Sequence, residues 1–222
     1  MKVTFTLDSE KLHSTSDAIQ VEQEIEGKKV YRSLSYGAMT EIFNKSLVND
    51  EEWGPILPPN AIQYSVRSNG YSIILEVPKT RQTIIFNGLT LEVGFPRLLF
   101  KFDLSIHNSN KNYEVELSKI VALKSKGRLS KETKLYHFPY SHVMNGNVCM
   151  GSMNLPAIKS INQLEHFPSY FFQSTFTMDY GSKVVSGTSV SSLFTEVFNE
   201  KDFDDKELMP LYHTYGEFFH IN

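Results

Sequence analysis

The sequence predicts an α+β protein: an antiparallel β-meander flanked by helices, with an N-terminal extension. Three observations predict it. Apolar and polar residues alternate from Ala61 to Phe102, the period of strands with one buried face. Turn signals at Ser68-Asn69-Gly70, Asn87-Gly88 and Gly94-Phe95-Pro96 divide that stretch. Helical spacing is confined to the two flanks.

The N-terminal extension spans residues 1–52. Val3, Phe5 and Leu7 alternate with polar residues, as in a half-buried strand. Residues 18–34 read as a hairpin around Glu26-Gly27-Lys28, with Val21, Ile25, Val30 and Leu34 facing inward. Ser35 can cap a helix running to about Val48, with Met39, Ile42, Phe43 and Leu47 on one face. The acidic run Asn49-Asp50-Glu51-Glu52 and the Pro-rich passage from Trp53 to Pro59 mark the boundary with a core over residues 53–200.

In that core, Ile62, Tyr64 and Val66 form the first alternating strand. Tyr71 to Val77, Thr83 to Phe86 and Leu89 to Val93 follow, and Arg97 to Phe102 reads as the most central strand. Asn108 to Asn112 is a polar loop, Tyr113 to Leu123 a further strand, and Ser125 to Lys134 a charged connection. Beyond Pro156 the pattern turns helical: residues 158–165 and 190–198 read as helices, with an aromatic segment, Ser169 to Thr177, between them. Phe171, Phe172 and Phe176 belong to the core on this reading. Residues 201–222 form a tail without clear periodicity.

Composition limits the function classes. A chain of 222 residues with 41% apolar content supports one sizeable core, and 16 Phe and 11 Tyr suit sheet packing. The net charge of −3 lacks the basic surplus of a nucleic-acid binder. Nothing approaches the run of about 18 apolar residues that a membrane span needs. A single cysteine cannot close an internal disulfide, and the N-terminus does not read as a signal peptide, so a cytoplasmic setting is expected. No cofactor is expected: no Gly-rich phosphate cradle is evident, and His13, His107, His166, His213 and His220 are too scattered for a metal site.

The chemistry concentrates in the run from Tyr136 to Gly151. Cys149 follows an Asn145-Gly146 turn, and His137 and His142 precede it. Asn-Gly suits a type I′ turn, whose two central residues both need positive φ, and such a turn fixes where the thiol emerges. An accessible thiol with donors or bases nearby is the arrangement that thiol nucleophiles need. His142, Asn145 and Asn147 are candidate donors to an oxyanion, and His137 or His142 can take a proton. Structural readings stand beside these. A lone cysteine is commonly a small buried hydrophobe, His137 can simply pack between Tyr136 and Phe138, and Asn145 can be a turn residue only.

Strands in a meander, an aromatic-Pro segment, a turn, a cysteine and then helices together resemble the ubiquitin-conjugating enzyme fold. Gly146 lies three residues before Cys149 and Val148 one before it, as in that family's His-Pro-Asn passage. Phe95-Pro96-Arg97-Leu98-Leu99-Phe100-Lys101-Phe102 looks like its upstream Pro-x-Val-x-Phe strand. The closer resemblance is to a bacterial branch, the prokaryotic ubiquitin-conjugating-like family D. It rests on Leu135-Tyr136-His137-Phe138-Pro139-Tyr140-Ser141, Val148-Cys149-Met150-Gly151 and Leu155-Pro156, within residues 55–160. With Val143 matched to the family's Asn-Val-Tyr, His142 stands where that Asn is expected and the turn is one residue shorter.

The resemblance implies that Cys149 carries a ubiquitin-like modifier as a thioester and passes it to an acceptor. It implies as partners a ThiF-like activating enzyme, a ubiquitin-like protein and, in the same pathway, a JAB-type peptidase. The catalytic candidates are Cys149, His142, Asn145 and His137. Two rival functions remain: a non-catalytic module of the same fold that binds a ubiquitin-like protein, and a hydrolase using Cys149 with a histidine.

Overall fold

The structure, a computed structural model, describes residues 2–7, 19–25, 28–47, 54–106, 112–151 and 154–221. The expected turn at Glu26-Gly27, the acidic run 49–52 and most of the loop Asn108 to Asn112 lie outside the described residues, as do the side chains of Ile25 and Leu47. The chain divides into two compact units, Met1–Gly54 and Pro55–Asn222.

In the first unit, strands β1 (Lys2–Leu7), β2 (Ile19–Ile25) and β3 (Lys28–Leu34) pair antiparallel in that order, and helix α1 (Tyr36–Leu47) follows. Ser35 caps the helix: its hydroxyl accepts the Ala38 N–H at 3.1 Å and its carbonyl accepts the Met39 N–H at 3.0 Å. Val3, Phe5 and Leu7 share one face of β1 but remain 37–54% exposed, against the half-buried expectation. An edge strand in so small a sheet has little to cover it; Phe5 does reach the Phe43 ring, at 6.2 Å between centroids.

The second unit contains the main sheet. Strands β4 (Ala61–Arg67), β5 (Gly70–Val77), β6 (Thr80–Phe86), β7 (Leu89–Phe95), β8 (Arg97–Ile106) and β9 (Tyr113–Leu123) succeed one another in the chain. They do not form one meander. β5 pairs with β8 along its whole length, while β6 and β7 leave the sheet as a separate hairpin. Proline stands at both departures, Pro78 between β5 and β6 and Pro96 between β7 and β8. Each lacks the N–H that a continuing ladder needs, so the chain turns out of the sheet there and returns at Arg97.

Further strands follow: β10 (Lys134–Tyr136), β11 (Val143–Met144), β12 (Asn147–Val148) and β13 (Thr175–Phe176). Among the described residues the main sheet runs β4-β5-β8-β9-β12-β11, and β10 also pairs with β9. β13 adds to β6 in parallel, the one parallel pairing among the described strands. The helices are short. A 3₁₀ helix (Ile161–His166) precedes α2 (Pro168–Phe172), and α3 (Val190–Ser192) continues as a π-type turn (Leu193–Val197). Residues 201–222 contribute β14 (Pro210–Thr214), which pairs with β10, and helix α4 (Tyr215–Phe219). What reads as an aperiodic tail is thus part of the second unit, too brief in each element to show a period.

β8 is central and buried on both faces. Leu98, Phe100, Phe102 and Leu104 enter the larger cluster, and Leu99 enters a second one on the opposite face with Val121, Leu135, Leu211 and Tyr215. In the larger cluster Phe95 lies 4.9 Å from both Tyr140 and Phe172, edge to face. Phe171, Phe172 and Phe176 are all at most 3% exposed and belong to this core. Burial of each such ring contributes about 1.5–3 kcal/mol, and each favourable ring pair roughly 0.5–1.5 kcal/mol more. This core fixes the segment that leads to the cysteine: Tyr140 is fully buried, and its hydroxyl donates to the Gly94 carbonyl.

Candidate functional site

Cys149 stands just outside the smallest hairpin among the described residues. β11 and β12 pair through Val143–Val148 and Met144–Asn147. Asn145 (φ 50°) and Gly146 (φ 81°) form the two-residue turn, both at the positive φ that a type I′ turn requires. The Gly146 carbonyl accepts the Ile120 N–H at 2.9 Å, which ties the turn to β9. A Cβ on Gly146 would lie 2.5 Å from Cζ of Phe218, so α4 backs the turn and leaves no room for a side chain. Asn147 is held as well: its Oδ1 accepts the Lys119 ammonium at 2.9 Å, and that ammonium lies 5.0 Å from the Phe218 ring centre.

Beyond the paired residues, the Cys149 N–H donates to the His142 carbonyl at 2.8 Å. Cys149 and His142 are therefore the next pair in register. The thiol is free and exposed. His142 is half-buried and takes a left-handed backbone, φ 70°. A second segment, residues 177–181, holds it from the other side. The His142 N–H donates to the Asp179 carbonyl at 3.3 Å, and its Nε2 accepts the Thr177 N–H at 3.1 Å. The imidazole stands edge-on to the buried Phe176 ring at 5.4 Å.

The electrostatics follow from this packing. Burial pushes the His142 imidazole below its ordinary value, against an upward pull from a backbone hydrogen bond with Cys149 and from the Asp179 charge. With Nε2 accepting a hydrogen bond, the neutral ring carries its proton on Nδ1. The nearby Cys149 side chain, as a hydrogen-bond acceptor first and as a charge second, raises the Tyr180 phenol above its usual range. Tyr180 sits in a turn that the Gly181 N–H closes onto the Met178 carbonyl at 3.1 Å. Thr177 and Asp179 brace the segment, with the Thr177 hydroxyl donating to Asp179 Oδ2 at 2.6 Å.

Of the four residues read from the sequence, the fold brings Cys149 and His142 together. Asn145 lies at the hairpin tip, separated from them by both β-pairs. His137 is fixed elsewhere: its N–H donates to the Met209 carbonyl at 2.9 Å, beside the β10–β14 pair. Burial, then the Lys183 charge, lowers its imidazole. The residues that sequence reasoning missed are Thr177, Asp179 and Tyr180. Asp179-Tyr180-Gly181 is a turn signal, but nothing in its spacing points to a thiol some thirty residues upstream. Chemically, the arrangement offers an exposed thiol and a histidine whose backbone and ring anchor both segments.

No helix among the described residues is long and apolar enough to cross a membrane. No curated protein and no solved structure matched the chain. The model of one protein family, prokaryotic E2 family D, matches residues 38–211, which include the central sheet, the Cys149 hairpin and the 177–181 segment. A match over that much of the chain shows the family, and this protein belongs to prokaryotic E2 family D.

Proposed function

We propose that the protein carries a ubiquitin-like modifier as a thioester on Cys149 and transfers it to an acceptor, as a ubiquitin-conjugating-like enzyme working in the cytoplasm. The fold on this reading is that of a ubiquitin-conjugating enzyme with an N-terminal extension. The observation that carries the proposal is the exposed thiol held in register with His142 at the end of a hairpin, in a member of this family. Exchange of one thioester for another is close to isoenergetic. The protein therefore has to supply access, alignment and stabilisation of the tetrahedral oxyanion. A hairpin held at its turn by β9 and α4, and at its open end by residues 177–181, supplies alignment. A ThiF-like activating enzyme and a ubiquitin-like protein are the partners this reading requires, and a JAB-type peptidase would act in the same pathway.

Two observations weigh against the rival readings. A binding module has no use for an exposed thiol held in register at the end of a hairpin. A hydrolase needs a histidine nitrogen free to take the thiol's proton, whereas His142 Nε2 already accepts the Thr177 N–H.

The test is incubation with the activating enzyme of the same pathway, ATP and the modifier, followed by a non-reducing gel. A band that disappears on reduction and is absent in Cys149→Ala is expected; in Cys149→Ser it persists under reduction as an oxyester or fails to form. Full carrier activity in Cys149→Ala would leave the binding module as the correct reading.

A further inference from the structure

The loop between β9 and β10 carries charge that the site around Cys149 does not use. It leaves β9 after Leu123 and returns as β10, where Tyr136 pairs with Ala122, so its ends lie together. Lys124, Lys126, Arg128, Lys131 and Lys134 all stand exposed along it, and Glu132 is its one carboxylate. None of these five cations is in an ion pair among the described residues. Elsewhere in the unit, Arg67 and Lys101 share Asp103, and Arg81 takes Glu92 and Asp202. We propose that this loop is a binding site for a compact polyphosphate, separate from the thioester chemistry at Cys149.

The loop is fixed at four points. The Ser125 N–H and hydroxyl donate to Asp205 at 2.6 and 2.8 Å. The Gly127 carbonyl accepts Arg97 Nη1 at 2.8 Å, while Nε and Nη2 of that guanidinium donate to the two oxygens of Glu76. The Lys131 and Thr133 carbonyls accept the N–H groups of Gly216 and Tyr215 at 2.9 and 2.8 Å. Folding thus gathers the cations before a ligand arrives, which lowers the ordering cost of binding.

The cations surround two adjoining cavities. The smaller, about 170 Å³, is lined by Lys124, Lys126, Arg128 and Lys134. The larger, about 520 Å³, is lined by Arg128 and Lys131, and Arg97 belongs to both. Concave walls of one charge sign focus their field on an anion. Glu76 also lines the larger cavity, but both its oxygens are held by Arg97. Tyr215 forms part of the same wall. It is 4% exposed, and its hydroxyl has no partner among the described residues. Burial pushes the phenol up to about 12, so it keeps a proton to donate. Ile62, Leu129 and Ile221 give this cavity an apolar side.

The arrangement selects the class of anion. Five positive charges on one closed loop suit several negative charges within the span of a few groups, which linked phosphates carry. An acidic peptide spreads its charge, since side chains on one face of a strand recur roughly every 7 Å. Single-stranded nucleic acid needs open rings on which to stack its bases. Of the rings lining the two cavities, Tyr136 lies under the Lys124 ammonium, 5.7 Å from it, and Tyr215 is buried.

Isothermal titration of the native full chain tests this, with sodium tripolyphosphate and ATP as probes at about 150 mM salt, where attraction beyond about 8 Å is screened. Saturable binding of both is expected. Arg128→Ala should weaken it roughly tenfold or more, the loss of one charge-assisted hydrogen bond. Lys159→Ala, which removes an exposed cation outside the loop, should leave it unchanged. Tighter binding of ATP assigns the apolar wall to an organic group, and equal or weaker binding assigns recognition to the phosphates alone; both uphold the site. No saturable binding of either probe up to about 1 mM, or equal losses in the Arg128 and Lys159 variants, overturns it. Tighter binding of an oligothymidylate or an oligoglutamate than of both probes also overturns it, and marks the loop as a face for a longer polyanion. Arg128 is exposed and outside every ion pair, so its variant should melt with wild type, which separates lost binding from lost fold.

Discussion

The Cys149 N–H and the His142 carbonyl meet at 2.8 Å, so the exposed thiol and a half-buried histidine seven residues upstream are two posts of one hairpin. The position of the sulfur therefore depends on whatever holds His142, and that is the 177–181 segment and the Phe176 ring. A thiol on a loop of its own would sample many orientations; here the backbone of three segments converges on it.

Gly146→Ala should destabilise the second unit by about 2–4 kcal/mol, because the left-handed backbone disfavours a Cβ and the new methyl would overlap Phe218. The two causes separate in a double-mutant cycle with Phe218→Ala. Removing the ring relieves the overlap but not the φ, so urea unfolding should show a coupling of about 1 kcal/mol or more, with the double variant less unstable than the sum. Strict additivity would mean that α4 does not back the turn.

Acid should weaken the site well before the carboxylates titrate. Burial lowers the imidazoles of both His142 and His137. An imidazole lowered in the folded state takes up its proton first in the unfolded chain. Stability is then intact above the ordinary histidine value of about 6.5, falls as the pH drops through it, and levels off below the lowered folded value. Protonated His142 would also turn Nε2 into a donor facing the Thr177 N–H. Thermal unfolding across about pH 5–8 should show this loss, and His142→Gln, which keeps an acceptor but does not titrate, should remove His142's part of it. A flat profile in wild type would refute the assignment.

Asp103 and Asp205 set a second, lower window. Burial opposes ionisation of both. Asp103 is nevertheless held below the carboxylate range by hydrogen bonds from Lys101, Ser72 and Ser118, and Asp205 by the Ser125 N–H and hydroxyl and by Lys79. Their contribution is present above the ordinary Asp value of about 3.9 and disappears as the pH falls through the lowered folded values. Asp205→Asn should remove Asp205's share of this acid limb while leaving the histidine limb in place, as read by the same melts.

Tyr140→Phe should cost about 1–3 kcal/mol, since it strands the buried Gly94 carbonyl that the hydroxyl now satisfies. Its neighbour behaves in the opposite way. Ser141 is fully buried and its hydroxyl has no partner among the described residues, so Ser141→Ala should be neutral or raise the melting temperature. Chemical denaturation of the two variants separates these outcomes, and a large loss in Ser141→Ala would reveal a partner for that hydroxyl.

The strands, the turns at Ser68-Asn69-Gly70 and Asn87-Gly88 and the Asn145-Gly146 hairpin were legible in the sequence because local chemistry decides them. Alternation marks a face, and only Gly and a few polar residues accept positive φ. Cys149 beside a turn could be read for the same reason, as could the Ser35 cap. Which strand pairs with which could not. β5 passes over β6 and β7 to reach β8, a choice made by long-range packing on Phe95, Phe100 and Phe102. The prolines at 78 and 96 permit it but do not dictate it. The residues around the sulfur divide the same way. His142 is close to Cys149 in sequence and closer in register. Tyr180, Asp179 and Thr177 arrive only because β13 pairs with β6 and carries the following turn to His142. Local preference fixes how each segment bends, but only burial of the shared aromatic core brings distant segments to one sulfur, and that energy belongs to no segment alone.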